Sequence, residues 1–324
     1  MPIDPILASY SDLAYHTALA LYLFAMVLHA VEYAVGRVPG AAAAQRAAPG
    51  GGGPIATMTP PPSTATRGRT ERVGRSAVAL TGLAALVHAG SLVLRGAATG
   101  RAPWANMYEF ISAICLVAVA GWLVMLYRQR SVPDNGRVNG AAALQRLGVF
   151  VLLPVVVLMF LGGTLLYAQA APLVPALNSY WITIHVSAAA GASGILLVSG
   201  VASVLYLFST RPGSAVAARL PSTATLDRLA YRTAVIALPI MTFMIITGAI
   251  WAEAAWGRYW GWDPKETFAL VAWVIYAGYL HARATAGWRG PRAAWINVVG
   301  LAVMLFNLFF VNIVIAGFHS YAGI

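Results

Sequence analysis

The sequence predicts an all-α, polytopic membrane protein of about eight transmembrane helices with both termini outside. Three observations lead there. Of 324 residues, 60% are hydrophobic and only 10% charged, whereas a soluble domain is roughly 25% charged. The apolar residues fall in repeated runs long enough to cross the hydrocarbon, which takes ~20 residues. The basic residues gather at alternate ends of those runs.

The runs lie near 14–35, 76–94, 107–127, 147–168, 184–208, 230–251, 267–284 and 293–317, the seventh being the shortest. Segments 36–75, 128–146, 209–229 and 282–292, with Arg232 at the adjacent helix end, carry 17 of the 21 basic residues. Arg95, Arg101, Arg258 and Lys265 are the remaining four. The positive-inside bias therefore places the first set of segments in the cytoplasm, and 95–106, 169–183, 252–266 and both termini outside. Insertion alone accounts for the formal charge of +11, so no nucleic-acid partner is expected.

Residues 1–35 hold the first transmembrane helix, and 36–75 read as a cytoplasmic low-complexity linker. Within it, 40–66 is rich in Ala, Gly, Pro and Thr, with runs at Gly50–Gly53 and Pro60–Pro62. Residues 76–324 form one seven-helix membrane domain. The first basic residue is Arg37, behind Asp4 and Asp12, so no charged signal-peptide n-region is expected. Cys115 is the single cysteine. It excludes an internal disulfide, a thiol redox pair, a four-thiolate metal site and a C-x-x-C-H haem attachment in this chain. No Walker loop or dinucleotide fingerprint is present.

One outward segment is unlike the others: Trp251-Ala-Glu-Ala-Ala-Trp256-Gly257-Arg258-Tyr259-Trp260-Gly261-Trp262-Asp263-Pro264-Lys265-Glu266. An interfacial belt spreads tryptophans over many helix ends; here four of ten lie within twelve residues, interleaved with glycine. The segment offers flat apolar faces beside a few charges, and its glycines let a ligand approach the backbone. Asp263, Pro264 and Glu266 also spell a helix start with a capping box. A broad, flat, apolar ligand with an acidic edge suits the segment, and haem is such a ligand.

The run W-G-x-x-W-x-W-D-P-K-E, from Trp256 to Glu266, resembles the tryptophan-rich WWD signature of the haem-handling protein superfamily. Within that superfamily the chain resembles the CcsA/ResC branch of System II cytochrome c biogenesis, over most of its length. The outward stretch Pro103-Trp104-Ala105-Asn106-Met107-Tyr108-Glu109 resembles that branch's N-x-Y-E element.

Haem iron takes histidine as an axial ligand, and an imidazole in a span is costly and tends to be functional. Topology puts His185 at the outer end of the fifth span and His319 beyond the outer end of the eighth, level with the tryptophans. The resemblance implies the same pair as external ligands. It maps His281 onto an intramembrane ligand near the cytoplasmic side, ~21 Å from the outer edge. Its counterpart on the other face of that haem is left to a partner, with His29 (~8 Å above the inner edge) and His88 (~18 Å) as outsiders. His16 reads as a packed or helix-end residue.

The resemblance thus implies haem export and, with a ResB/CcsB-type membrane partner, presentation of haem b for thioether attachment to an apocytochrome c carrying C-x-x-C-H. The chain then sits in the bacterial cytoplasmic membrane, or a thylakoid-type equivalent, as a subunit of a synthase rather than an enzyme alone. His185, His319, His281, Trp251, Trp256, Gly257, Trp260, Trp262 and Asp263 are the expected haem-site residues. Arg258 and Lys265 are candidates for the propionates. The rivals are a haem-b or quinone-linked electron-transfer subunit, and a permease using the tryptophan segment for another ligand.

Overall fold

The computed structural model describes residues 3–35, 64–130, 140–211, 217, 220–285, 287–315 and 317–319. These are helical, with no strand among them. Eight long helices follow one another: α1 (Pro5–Val35), α2 (Thr64–Thr99), α3 (Met107–Arg130), α4 (Gly148–Thr164), α5 (Tyr180–Ser209), α6 (Thr223–Trp256), α7 (Pro264–Thr285) and α8 (Pro291–Ile313). A short helix, Gly140–Gln145, leads into α4. Seven of the described helices are long and apolar enough to cross a membrane, and the chain is an integral membrane protein. The helix outside that set is α7, the short seventh run, which carries Glu266 in its first turn and Arg283 in its last.

Several helix ends differ from the sequence reading, and three of them have a clear local reason. α1 starts early because Asp4 caps it: its Oδ1 accepts from the N–H groups of Ile6 (2.9 Å) and Leu7 (3.1 Å), with Pro5 in the first helical position. α2 begins at Thr64, inside the segment read as linker. Pro60–Pro62 is the last strong barrier, and the Arg, Thr and Glu residues that follow are tolerated in a helix. Residues 36–63 of that expected linker lie outside the described residues. α6 continues through Trp251 to Trp256, since Ala-Glu-Ala-Ala favours helix. Gly257, at φ 70°, stops it by donating its N–H to Glu253 O at 2.8 Å. The expected loop 251–266 therefore contracts to residues 257–263.

α1 lies along α2, and their buried residues alternate at spacings of three and four, the seam of a left-handed helix pair. On α1 these are Ser11, Tyr15, Ala18, Tyr22, Ala25, His29 and Glu32; on α2 they include Thr81, Ala84, His88, Ser91 and Arg95. Alanines allow the close approach, and polar groups pair across it. Ser11 Oγ donates to Ser91 O (2.9 Å), and Tyr22 OH lies 3.4 Å from His88 Nδ1. His88 Nε2 is 2.8 Å from Ser112 Oγ of α3. His29 Nε2 is 3.4 Å from Thr81 Oγ1, with its ring edge-on to Trp122. His29 and His88 are thus sealed inside the seam. His16 is exposed and donates to Asp12 O (2.8 Å).

The other half is organised by α5, which packs against α6, α3 and α8, while α7 closes on α8 and α6. The connections 100–106, 165–179 and 257–263 meet at one end of the bundle. Arg101 Nε and Nη2 both donate to Ala171 O across two of them (3.2 and 3.1 Å).

Candidate functional site

At that end lies a cavity of about 440 Å³, walled by residues of the 101–107 and 173–180 segments and by α5, α6, α7 and α8. The wall is mainly apolar, and His185 and His319 both line it.

His185 sits in the second turn of α5, and its Nδ1–H donates to Met244 O of α6 at 2.8 Å. Only glycine at position 248 permits this: a Cβ there would stand 2.6 Å from imidazole Cε1 and Nδ1. With Nδ1 protonated, the lone pair is on Nε2. Gly248→Val is expected to force the ring off the Met244 carbonyl and destabilise the chain by ~1–3 kcal/mol, as overpacking does. Thermal unfolding in detergent checks this, and an unchanged midpoint would show that the ring has room to move.

His319 follows α8, and its Nδ1 is 2.8 Å from Asp263 Oδ2. The same carboxylate accepts from the N–H of Phe318 (2.7 Å, to Oδ1) and of Lys265 (3.1 Å, to Oδ2). Burial opposes ionisation of Asp263, but the hydrogen bonds from His319, Phe318 and Lys265 together hold its pKa below the ordinary carboxylate value. A carboxylate behind an imidazole sets ring orientation and raises the basicity of the other nitrogen. Asp263 therefore caps α7 and orients His319 at once. Glu266 completes the expected capping box, its Oε2 accepting from Gly261 N (2.9 Å) and Asp263 N (3.1 Å).

Both imidazoles pack against Trp251. His185 is stacked on it (centroids 6.3 Å apart, planes 11°), and His319 is tilted against it (5.9 Å, 59°). Trp256 is edge-on to Trp251 (4.7 Å) and to His319 (5.2 Å). Trp251, Trp256 and Trp260 line the cavity. Trp262 is outside the lining, exposed, at φ 56° and perpendicular to Trp260. Gly257 is outside it as well, ending α6. Arg258 folds over Phe318 (4.3 Å to the ring centroid) and is not part of the lining, whereas Lys265 is.

His281 stands apart. It is exposed on α7, off the helix's buried stripe of Ala272, Tyr276 and Tyr279. The structure joins His185 to His319 and leaves His281 on an outer face.

The Asn106–Glu109 element, whose role was not evident from sequence, anchors one wall. Asn106 Oδ1 caps α3 by accepting from Glu109 N (2.8 Å). The buried Glu109 carboxylate accepts from Arg95 Nε (2.9 Å), Arg101 Nη1 (2.8 Å) and Nη2 (3.1 Å), and Ala105 N (2.9 Å). Arg95 also reaches Asp12 Oδ1 (3.4 Å) and the Ala168 carbonyl, and Tyr167 OH donates to Asp12 Oδ2 (2.6 Å). This clasp ties α1, α2, α3 and the segment after α4 together beside the cavity.

A family profile described as "Cytochrome C assembly protein" matches residues 104–319. The chain is 36% identical over 271 residues to the cytochrome c biogenesis protein CcsA of Parasynechococcus marenigrum (strain WH8102), covering 75% of this chain and 85% of that one. It is likewise 36% identical over 273 residues to the CcsA protein of Prochlorococcus marinus (strain MIT 9303), covering 75% and 82%. Among solved structures it is similar to the cytochrome c heme lyase CcmF, with a TM-score of 0.55 at 17% identity. That likeness, one of fold, covers 95% of this chain and 47% of the lyase, so the chain spans about half the lyase's length.

Proposed function

Given that the chain belongs to the cytochrome c assembly protein family, we propose that it holds haem b in the His185–His319 cavity and presents it for covalent attachment to an apocytochrome c. The observation that carries this reading is the pair of imidazoles on one apolar, indole-walled cavity, each with Nδ1 committed to an oxygen acceptor. Such a hydrogen bond presents Nε2 to a metal, and two axial imidazoles suit haem iron. Metal–nitrogen bonds near 2 Å require the two Nε2 atoms to come within about 4 Å of each other across the iron. Trp251, Trp256 and Trp260 supply flat support for the porphyrin.

The chain's own part is positioning, which turns an encounter between haem and apocytochrome into an oriented one. The histidine of an arriving C-x-x-C-H segment displaces one axial imidazole. Each cysteine S–H then adds across a vinyl C=C, forming one C–S and one C–H bond with no net redox change. The cavity faces the outer side of the membrane in this reading, which the positive-inside pattern supports. Haem comes to it from an inner site at His281, whose exposure on α7 suits a face covered by a ResB/CcsB-type partner.

The test is co-expression of this chain, the partner and a C-x-x-C-H cytochrome in cells lacking their own maturation system. Cytochrome that keeps its haem on a denaturing gel is expected only when this chain is present. Equal covalent haem without it would refute the reading. Asp263→Ala is expected to weaken haem binding at the outer site by roughly 10–100-fold, the usual cost of losing a carboxylate behind a ligating histidine. Titration by Soret absorbance measures it, and an unchanged affinity would mean that Asp263 serves only as a cap.

A further inference from the structure

We infer that Lys265 is a carboxylate-binding residue inside the cavity, so that the ligand is held by an acidic edge as well as by its flat faces. The inference rests on the haem-holding reading of the same cavity. Arg101, Lys265 and Glu266 are the charged side chains of the lining. Arg101 is committed to Glu109 through two hydrogen bonds. Glu266 turns its carboxylate back to the N–H groups of Gly261 and Asp263. Asp263, just outside the lining, is occupied by His319, Phe318 and the backbone N–H of Lys265.

That leaves the Lys265 ammonium, part-buried, donating to the neutral amide oxygen of Asn312. Among the described residues, no carboxylate lies within ion-pair distance of it. An ammonium has three protons to donate, and a cation withdrawn from water calls for a counter-charge. A second observation points the same way. Trp104, also part of the lining, has a buried indole N–H with no acceptor among the described residues. A mainly apolar cavity thus offers an ammonium with no carboxylate within ion-pair distance and an unmatched donor, beside one unmatched acceptor at Asn307 Oδ1. The ligand that fits is flat, apolar and anionic at its edge. Arg258 does not compete, because its guanidinium lies over Phe318 and against Gly261, outside the lining.

The chemistry gives this anchor a purpose. Two axial nitrogens and stacked indoles leave a porphyrin free to rotate in its own plane. A propionate held at Lys265 removes that freedom and so determines where the vinyl groups are presented to incoming thiols.

The test compares haem with haem dimethyl ester, titrated by Soret absorbance into the purified full-length chain in detergent. The unmodified chain is expected to prefer the free acid by roughly tenfold or more, the scale of one charge-assisted hydrogen bond. Lys265→Gln, which can still donate to Asn312, is expected to abolish the preference, while Lys265→Arg and Arg258→Gln retain it. Equal affinity for acid and ester in the unmodified chain overturns the inference and leaves the haem-holding reading standing. So does a preference that survives in Lys265→Gln or disappears in Arg258→Gln. Failure of the unmodified chain to bind either porphyrin overturns both.

Discussion

Glu109→Ala is expected to be the most destabilising single change in the chain, costing ~3–5 kcal/mol, because it strands buried charge. Arg95 is 1% exposed, and the side chain of Arg101 is 8% exposed. Without the carboxylate, neither guanidinium keeps its ionic partner in Glu109, and the Ala105 N–H loses its acceptor. Glu109→Gln keeps an oxygen acceptor but not the charge, so a smaller loss is expected. Yield of monodisperse protein and thermal unfolding in detergent give the readout. The damage should reach the cavity as well, since Arg101, Ala105 and Asn106 belong to both clasp and wall. A Glu109→Ala protein with an unchanged unfolding midpoint would show that the two arginines are satisfied elsewhere.

His281→Ala is expected to leave the fold intact and to empty the outer cavity of haem. The side chain is exposed on α7 and off its buried stripe, so its removal costs little packing. If haem reaches His185 and His319 only by way of the inner site, haem content should fall by ~10-fold or more, the scale of losing a metal ligand or its support. By contrast, His185→Ala and His319→Ala should spare the inner haem in preparations that contain the partner. The measurement is haem per chain in protein purified with the partner. A His281→Ala protein carrying normal outer haem would rule out the route through the membrane.

Much of this was legible in the sequence because a bilayer simplifies the problem. Backbone polar groups must be satisfied within each span, so apolar runs announce helices and arginines announce their ends. The same reasoning set His185 and His319 level with the tryptophans, where the cavity joins them. Helix ends were less legible, since helices outrun apolar character. Nothing in Ala-Glu-Ala-Ala stops α6 before Gly257, and this makes Trp251 a buried helix residue rather than part of a loop. Trp262 shares the spacing of the other tryptophans but lies outside the lining, because side-chain direction depends on the loop's backbone.

The Glu109 clasp joins residues as distant as Asp12 and Tyr167, and no local pattern reports such pairing. One signal was nevertheless present. Arg95 and Arg101 were two of only four basic residues outside the segments that the positive-inside bias assigns to the cytoplasm, and both are held by Glu109. Gly248 carried no signal of its own. Its importance exists only once His185 of another helix leans against it.

The central claim is that His185 and His319 hold haem together, and a visible absorption spectrum tests it most directly. The chain would be purified in detergent from haem-replete cells, alone and with its partner, and examined with reductant. The account predicts a Soret band with sharp low-spin bands that are lost or shifted in His185→Ala and in His319→Ala. Absence of haem from both preparations, or bands that neither substitution alters, would contradict it.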